Sequence, residues 1–200
     1  MKTLLKIDTS TRAEASYSKA LAKEFTTKWQ EAHGGHVIER DLAQHLVPHV
    51  TQDFITAMYT PKDQRDSRMQ ELLSLSDIMI EELRCADTVL LSVPMFNFSI
   101  PSVLKAYIDA VTRVGETFLM KESGFEGLIK GKRLVIVAAY GADFSSFRQM
   151  DFVEPYLKSL FGFLGFEDIH YFALEGTTML DAPALEEKKR AIMIALEKLV

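Results

Sequence analysis

Hydroxyl side chains cluster directly after the first apolar run of the chain. They lie at the start of a helix-like segment and comprise Thr9, Ser10, Thr11, Ser16 and Ser18. Hydroxyls beside the free N–H groups of a first helical turn can bind a phosphate without a metal. The pattern fits equally an N-cap formed by Ser16 or Ser18. The stretch contains no glycine, which argues against G-x-G-x-x-G and P-loop sites, whose backbones must approach a pyrophosphate closely.

A second candidate stretch follows the continuous apolar run at 88–93. Met95, Phe96 and Phe98 surround Asn97 there, between two prolines that stiffen the chain. Side chains of this kind usually belong to a core. At the carboxyl end of a strand, however, an apolar wall with backbone polar groups suits a flat heteroaromatic ring.

The third candidate stretch is Ala139-Tyr140-Gly141-Ala142, which follows the apolar run at 134–138. Gly141 allows another group to approach the backbone closely, and the Tyr140 ring can lie against a bound ring. Taken alone, the stretch fits a tight surface turn at least as well.

Other catalytic chemistries find little support in the sequence. His45 and His49 are four residues apart, but Pro48 lies between them and breaks a helical metal-binding pair. Cys85, the single cysteine, is expected to be a buried residue at a helix end rather than a nucleophile. There is no G-x-S-x-G motif of serine hydrolases. We therefore expect no metal and name no catalytic side chain.

Composition excludes several classes of protein. The chain has 200 residues, a mass of 22.6 kDa, a net charge of −5 and 48% hydrophobic residues, which is typical of a globular protein. The acidic balance disfavours nucleic-acid binding, and no apolar run approaches the length of a membrane span. Without a signal-peptide pattern or a cysteine pair, we expect one cytoplasmic domain over residues 1–200.

Strand-like and helix-like segments alternate along the whole chain. The strand-like runs are 3–8, 36–40, 88–93, 134–138 and 169–174, and helical stripes cover 21–32, 69–83, 104–111, 153–164 and 185–199. Continuous apolar strands indicate a parallel sheet with both faces covered. The pattern predicts a doubly wound α/β fold with a flavodoxin-like five-stranded parallel sheet in the order 2-1-3-4-5.

Two segments exceed ordinary loop lengths, near 42–68 and 115–130. Apolar residues between Phe54 and Tyr59 predict a helix in the first segment. Gly124, Gly127 and Gly131 predict a mobile loop in the second. Long insertions in a compact domain often cover a functional site.

The three candidate stretches resemble the FMN-dependent NADH azoreductases and NAD(P)H:quinone oxidoreductases, which are flavodoxin-like bacterial enzymes. The resemblance covers nearly the whole chain. It is carried most specifically by Pro94 to Phe98 followed by Leu104, Lys105 and Tyr107, and further by Ser10, Ser16 to Ser18, Gly115, Thr117-Phe118, Glu126 to Leu128, Tyr156-Leu157 and Phe161 to Phe163.

The resemblance implies roles for particular residues. The implied cofactor-binding residues are Ser10, Ser16, Tyr17 and Ser18 at the FMN phosphate, Met95, Phe96, Asn97 and Phe98 at the isoalloxazine, and Ala139, Tyr140, Gly141 and Ala142 on the other side of the ring. Met120 and Phe161 would border the substrate. Family members often have Ser-Arg-Gly-Gly at 139–142 and a tyrosine at 120, which puts the substrate range in question.

The resemblance also implies an activity and an assembly. NADH, or NADPH, delivers a hydride to FMN and leaves, and a quinone or azo compound then takes the two electrons in a ping-pong reaction. Family members are homodimers with FMN at the interface. We further hypothesise that backbone N–H groups near Asn97 and Gly141 stabilise the negative charge of reduced flavin.

Two other readings are open. A flavodoxin-type electron carrier would have the same fold without a substrate pocket, but carriers are usually more strongly acidic than −5 in 200 residues. A regulatory or structural α/β protein would bind no flavin. Steady NADH turnover with a small quinone separates the enzyme from the carrier, and failure to take up FMN identifies the third case.

Overall fold

The computed structural model describes residues 1–12 and 15–200 of the chain. The strands in chain order are β1 (Thr3–Asp8), β2 (His36–Asp41), β3 (Thr88–Pro94), β4 (Phe118–Lys121), β5 (Gly124–Gly127), β6 (Arg133–Ala139) and β7 (Asp168–Leu174). The α-helices are α1 (Tyr17–His33), α2 (Gln52–Tyr59), α3 (Ser67–Cys85), α4 (Ser102–Val111), α5 (Val153–Leu164) and α6 (Ala182–Glu197). Short 3-10 turns lie at Lys62–Gln64 and Arg148–Met150.

The central sheet has the order β2-β1-β3-β6-β7, and all its pairings are parallel. Six of the seven residues of β3 are buried, because helices cover both faces of the sheet. Counting only the strands of this sheet, the order is 2-1-3-4-5. The predicted flavodoxin-like fold class is therefore confirmed.

Helices bury apolar stripes against the two faces of the sheet. On one face, Phe25 and Trp29 of α1 pack with Met193 of α6. On the other face, Met79 of α3 packs with Tyr107 of α4 and other core residues. Burial of these side chains is the main favourable contribution to the fold, at roughly 25 cal/mol per Å² of apolar surface.

The first insertion contains the helix that its apolar residues predicted. Helix α2 begins after Thr51, whose side chain accepts a hydrogen bond from the N–H of Phe54 at 3.2 Å. It packs against α3. The 42–68 segment therefore contains a helix that packs on α3.

The second insertion contains a β-hairpin, so the loop predicted at Gly124 and Gly127 is wrong, whereas Gly131 lies outside the strands. Strands β4 and β5 pair antiparallel, and the N–H of Ile129 donates to the carbonyl of Leu164 at the end of α5. A Cβ on Gly127 would lie 2.3 Å from backbone atoms of Leu164 and Gly165. The glycine permits this close approach, which joins the hairpin to the helix end.

Cys85 ends α3 as expected, but its side chain is exposed rather than buried. Its Sγ lies 3.2 Å from a carboxylate oxygen of Glu81, and this hydrogen bond raises the pKa of the thiol. A raised pKa leaves less thiolate, which is the reactive form. Among the described residues, no helix combines the length and the apolar character needed to cross a bilayer.

Candidate functional site

The loops that follow β1, β3 and β6 lie side by side at one edge of the sheet. Asp8 at the end of β1 is in register with Ser92 of β3, and Pro94 at the end of β3 is in register with Ala139 of β6. In open α/β sheets, ligands bind outside the carboxyl ends of the strands where the strand order reverses. The three candidate stretches of the sequence therefore meet at one place.

The hydroxyl cluster surrounds the first turn of α1. Ser10, Ser16 and Ser18 are all buried, and the Oγ atoms of Ser16 and Ser18 are 3.3 Å apart. Ser16 is the N-cap of α1, and its Oγ accepts a hydrogen bond from the N–H of Lys19 at 3.3 Å. The N-cap role of Ser16 is thus confirmed. Capping does not exclude phosphate binding, since the N–H groups of Tyr17 and Ser18, in the first turn of α1, have no acceptor within the helix.

Buried polar contacts hold the start of this loop against β3. The hydroxyl of Thr9 donates to the carbonyl of Ser92 at 2.8 Å, and the hydroxyl of Ser92 donates to Asp8 at 2.6 Å. Lys6 lies 3.2 Å from the carboxylate of Asp8. The hydroxyl cluster therefore has a fixed position relative to the second loop.

Arg12 is a residue of this loop that sequence reasoning missed. It is exposed, and its backbone N–H donates to the Oγ of Ser10 at 3.3 Å. The sequence could have indicated this residue, because Arg12 is a cation within the hydroxyl stretch and guanidinium groups bind phosphate well. The next two residues, Ala13 and Glu14, lie outside the described residues.

The loop after β3 is a tight turn with an unusual backbone. Phe96 and Ser99 exchange two backbone hydrogen bonds, at 2.9 and 3.0 Å. Between them, Asn97 and Phe98 have φ angles of 49° and 68°, which non-glycine residues rarely adopt. Phe96, Asn97 and Phe98 are exposed, whereas Met95 packs partly against the core. The turn presents aromatic surface and backbone amides to solvent.

The loop after β6 is tied to its neighbours on two sides. The N–H of Met95 donates to the carbonyl of Ala139 at 3.0 Å, which joins the second and third loops. Thr178 donates to the carbonyl of Gly141 from both its N–H and its hydroxyl, at 3.0 and 2.9 Å. Among the hydrogen bonds of residues 1–12 and 15–200, the N–H groups of Asn97 and Gly141 have no acceptor within the chain.

The side chain of Tyr140 does not lie where a bound ring could touch it. The residue is fully buried, and its hydroxyl is 3.0 and 3.1 Å from the two carboxylate oxygens of Asp151 and also contacts the hydroxyl of Tyr171. The expectation that the Tyr140 ring lies against a ligand is wrong, because these partners draw the side chain inward. Its backbone remains at the loop.

The two predicted substrate residues are in different environments. Met120 on β4 is 68% exposed and accessible. Phe161 on α5 is fully buried and packs edge-to-face against Phe166, so the expectation that its side chain borders a substrate is wrong. Its α-helical position points it into the core. The partly exposed ring is that of Phe163, two residues on, which contacts Phe118 and Phe125 of the hairpin.

The arrangement fits the parts of FMN. Buried hydroxyls at the N-terminus of α1 suit a phosphate, and no acidic residue lies in the first turn of that helix. Exposed aromatic surface and amides without an acceptor suit a flat ring with polar edges.

Comparison with known proteins agrees with this geometry. The model of a family described as having the flavodoxin-like fold matches residues 1–196. An FMN-dependent NADH:quinone oxidoreductase of Nostoc punctiforme is 41% identical over 98% of each chain. The chain belongs to this flavodoxin-like family. A relative of the same name from Hydrogenovibrio crunogenus is 43% identical over 96% of this chain and 93% of the relative.

Solved structures give the same result. An azoreductase from Bacillus anthracis superposes with a TM-score of 0.90 at 27% identity, covering 100% of this chain and 98% of the other. An FMN-dependent NADH-azoreductase from the same species, in complex with FMN, has a TM-score of 0.89 at 25% identity, covering 100% and 99% of the two chains. The predicted membership of the azoreductase and quinone oxidoreductase family is confirmed.

Proposed function

We propose that the chain is an FMN-dependent oxidoreductase that passes two electrons from NADH to quinones. The names of the relatives from Nostoc punctiforme and Hydrogenovibrio crunogenus support this activity at more than 40% identity over nearly the full length. The azoreductase structures support a second class of acceptor, azo compounds, which would be cleaved reductively. We further propose a ping-pong order, in which NAD⁺ leaves before the acceptor binds.

One observation of the structure carries the proposal. The strained turn at Asn97 and Phe98 lies beside the buried hydroxyl cluster of α1, at the reversal of strand order. Non-glycine residues at positive φ cost about 1–3 kcal/mol each and cluster at functional sites. Here both residues lie in a turn that is exposed to solvent.

The chain's own residues would divide the binding of FMN between them. Ser10, Ser16 and Ser18 would hold the phosphate with the free N–H groups of α1, including that of Tyr17. Met95, Phe96, Asn97 and Phe98 would flank one side of the ring, and the backbone of Ala139, Tyr140, Gly141 and Ala142 the other. When bound, FMN supplies the hydride-accepting chemistry. The N–H groups of Asn97 and Gly141 would stabilise negative charge on the reduced ring.

A homodimer with FMN at the interface is part of the proposal. Large apolar side chains are exposed around the site, namely Phe96, Phe98, Phe147, Met150 and Phe152. Exposed apolar patches of this kind mark interaction surfaces. Sedimentation should give twice the 22.6 kDa chain mass, whereas a single-chain mass at micromolar concentration would contradict the shared site.

Met120 is proposed to border the acceptor. Its side chain is flexible and apolar, which suits flat acceptors of varied shape better than one tightly bound substrate. The electron donor is proposed to be NADH, with NADPH as the comparison in the assays below. A cytoplasmic location also stays a proposal.

The function is tested by combining FMN binding with turnover. We expect the chain to quench FMN fluorescence on binding, to bind riboflavin much more weakly because the phosphate is missing, and to oxidise NADH steadily when a small quinone is added. FMN binding without quinone turnover would instead identify an electron carrier. Failure to bind FMN would identify an α/β protein without flavin chemistry.

A further inference from the structure

Asp151 is a buried carboxylate between two loops of the candidate site, and nothing in the proposed chemistry uses it. Its side chain is 1% exposed and accepts hydrogen bonds from the Tyr140 hydroxyl and, at 2.9 Å, from the N–H of Val153. Arg148 lies 3.7 Å away. A buried carboxylate with this many donors is held in one orientation.

The direction of the hydrogen bonds between Asp151 and the two tyrosines follows from counting protons. The Tyr140 hydroxyl donates its single proton to the carboxylate of Asp151. The contact between the two phenols then requires Tyr171 to donate to the Tyr140 oxygen. Burial raises the pKa of Tyr140 far above its ordinary range, so that it stays a donor.

These contacts close a ring of interactions around the site. Phe152, directly after Asp151, donates its N–H to the carbonyl of Phe98 at 3.0 Å. On the other side, Met95 of the same turn donates to Ala139, the neighbour of Tyr140. The Tyr140–Asp151 hydrogen bond therefore links the strained turn after β3 to the loop after β6.

We infer that Tyr140 and Asp151 are positioning residues that hold the amides of Asn97 and Gly141 at the spacing the isoalloxazine ring requires. This inference rests on the proposed FMN site. Neither side chain is accessible to a ligand, since both residues are buried. Their effect is exerted through the carbonyl of Phe98 and through the backbone that runs from Tyr140 into Gly141.

The matched variants are Tyr140→Phe and Tyr171→Phe. Each removes one phenolic hydroxyl, but only the first breaks the link to Asp151. We expect Tyr140→Phe to weaken FMN and riboflavin binding alike by about tenfold, the equivalent of ~1.4 kcal/mol. Because the phosphate site is untouched, the ratio of the two affinities should stay at its wild-type value. Tyr171→Phe should bind FMN within about twofold of the wild type, since a neutral hydrogen bond contributes little net energy.

Fluorescence titration of the full chain with FMN and with riboflavin tests the inference, and urea unfolding of the FMN-free variants measures their stability separately. Asp151→Asn keeps the shape of the side chain, and its amide oxygen can still accept from the Tyr140 hydroxyl. This variant should therefore lose less FMN affinity than the double variant that also carries Tyr140→Phe. If Tyr140→Phe unfolds more easily but binds FMN as tightly as the wild type, the hydroxyl is merely structural and the inference is overturned. If the wild type itself binds no FMN, the proposed function fails, and this inference fails with it.

Discussion

Asn97 and Phe98 show how single residues shape the site. Their positive φ angles are retained because Phe96 and Ser99 close the turn and Phe152 holds the carbonyl of Phe98. The cost of about 1–3 kcal/mol for each residue is offset by packing elsewhere in the fold. The result is a turn whose amides are already oriented before any ligand binds, which favours tight binding of a rigid ring.

The N–H of Gly141 can be tested by exchanging one residue. Gly141→Pro removes this N–H, whereas Gly141→Ala keeps it and places a Cβ at an ordinary 3.5 Å from Thr178. Loss of a hydrogen bond to a charged group, about 1.5–3 kcal/mol, should lower the reduction potential of bound flavin by roughly 30–60 mV for two electrons. Spectroelectrochemistry measures the shift, and an unchanged potential in Gly141→Pro would show that this N–H does not stabilise the reduced flavin.

Ser16 should serve both the helix and the phosphate. Ser16→Ala removes an N-cap and should reduce the free energy of unfolding by about 1 kcal/mol. Thr51→Ala removes the equivalent cap of α2, outside the three loops, and is the matched control. Only Ser16→Ala should also weaken FMN binding, with riboflavin binding unaffected. Equal FMN affinity in both variants would mean that Ser16 is a cap alone.

The sequence allowed some of these residues to be predicted and not others. Ser16 and Asn97 were found because both follow buried strands, and position after a strand is a local property. The inward direction of the Tyr140 side chain was not predicted, because it depends on Asp151 and Tyr171, which lie 11 and 31 residues away along the chain. Phe161 and Phe163 both lie in an apolar helix, and sequence alone did not show which ring faces the core.

At the scale of elements, the β4–β5 hairpin differs most from expectation. The five strands of the central sheet were predictable because each is a continuous apolar run or an edge run of ordinary length. The hairpin has two strands of four residues, one of which contains glycine at both ends. Its order comes from packing against the end of α5, a tertiary contact with no local signal.

Gly127 should be indispensable to that packing. Gly127→Ala places a Cβ 2.3 Å from the backbone of Leu164, so the hairpin must move away from α5. We expect a loss of about 1–3 kcal/mol in the free energy of unfolding, as for other overpacked sites. The control is Gly162→Ala in α5, which meets no atom within 4 Å and should gain about 0.5–1 kcal/mol. Equal stability of the two variants in urea would contradict the hairpin contact.

Glu116, in the turn before the hairpin, should make the free energy of unfolding depend on pH. Burial opposes ionisation of this carboxyl group, but hydrogen bonds from Lys62 and Arg84 outweigh it and hold the pKa of Glu116 below 4.5. A lowered pKa in the folded state stabilises the fold above pH 4.5, and that stability is lost as the pH falls through the folded-state pKa.

Glu116→Gln should therefore be less stable than the wild type by about 1 kcal/mol at pH 7, because both cations are partly or largely exposed. The difference should shrink as the pH falls below 4.5, where the wild-type carboxyl also becomes neutral. Urea unfolding at several pH values measures this, with Glu122→Gln at an exposed position as the control. A difference that persists unchanged in acid would show that the charge of Glu116 is not its source.

At the scale of the whole molecule, fold and family agree with what the sequence predicted. The parallel sheet places the β1, β3 and β6 loops at one edge, so residues as far apart as Ser10 and Ala142 form one site. The chain is expected to fold as one domain over residues 1–200, and a single cooperative transition in urea checks this. A mild charge of −5 suits a small-molecule enzyme better than a carrier that steers basic proteins.

The most direct test of the account is the visible spectrum of the FMN-loaded protein during an anaerobic titration with NADH. We expect flavin absorption bands that bleach completely at about one NADH for each bound FMN, since hydride transfer moves two electrons. Recovery of the bands on addition of a quinone would follow from the same chemistry. Bands that persist with both NADH and NADPH would contradict the proposed oxidoreductase, and a protein that takes up no FMN would contradict the site itself.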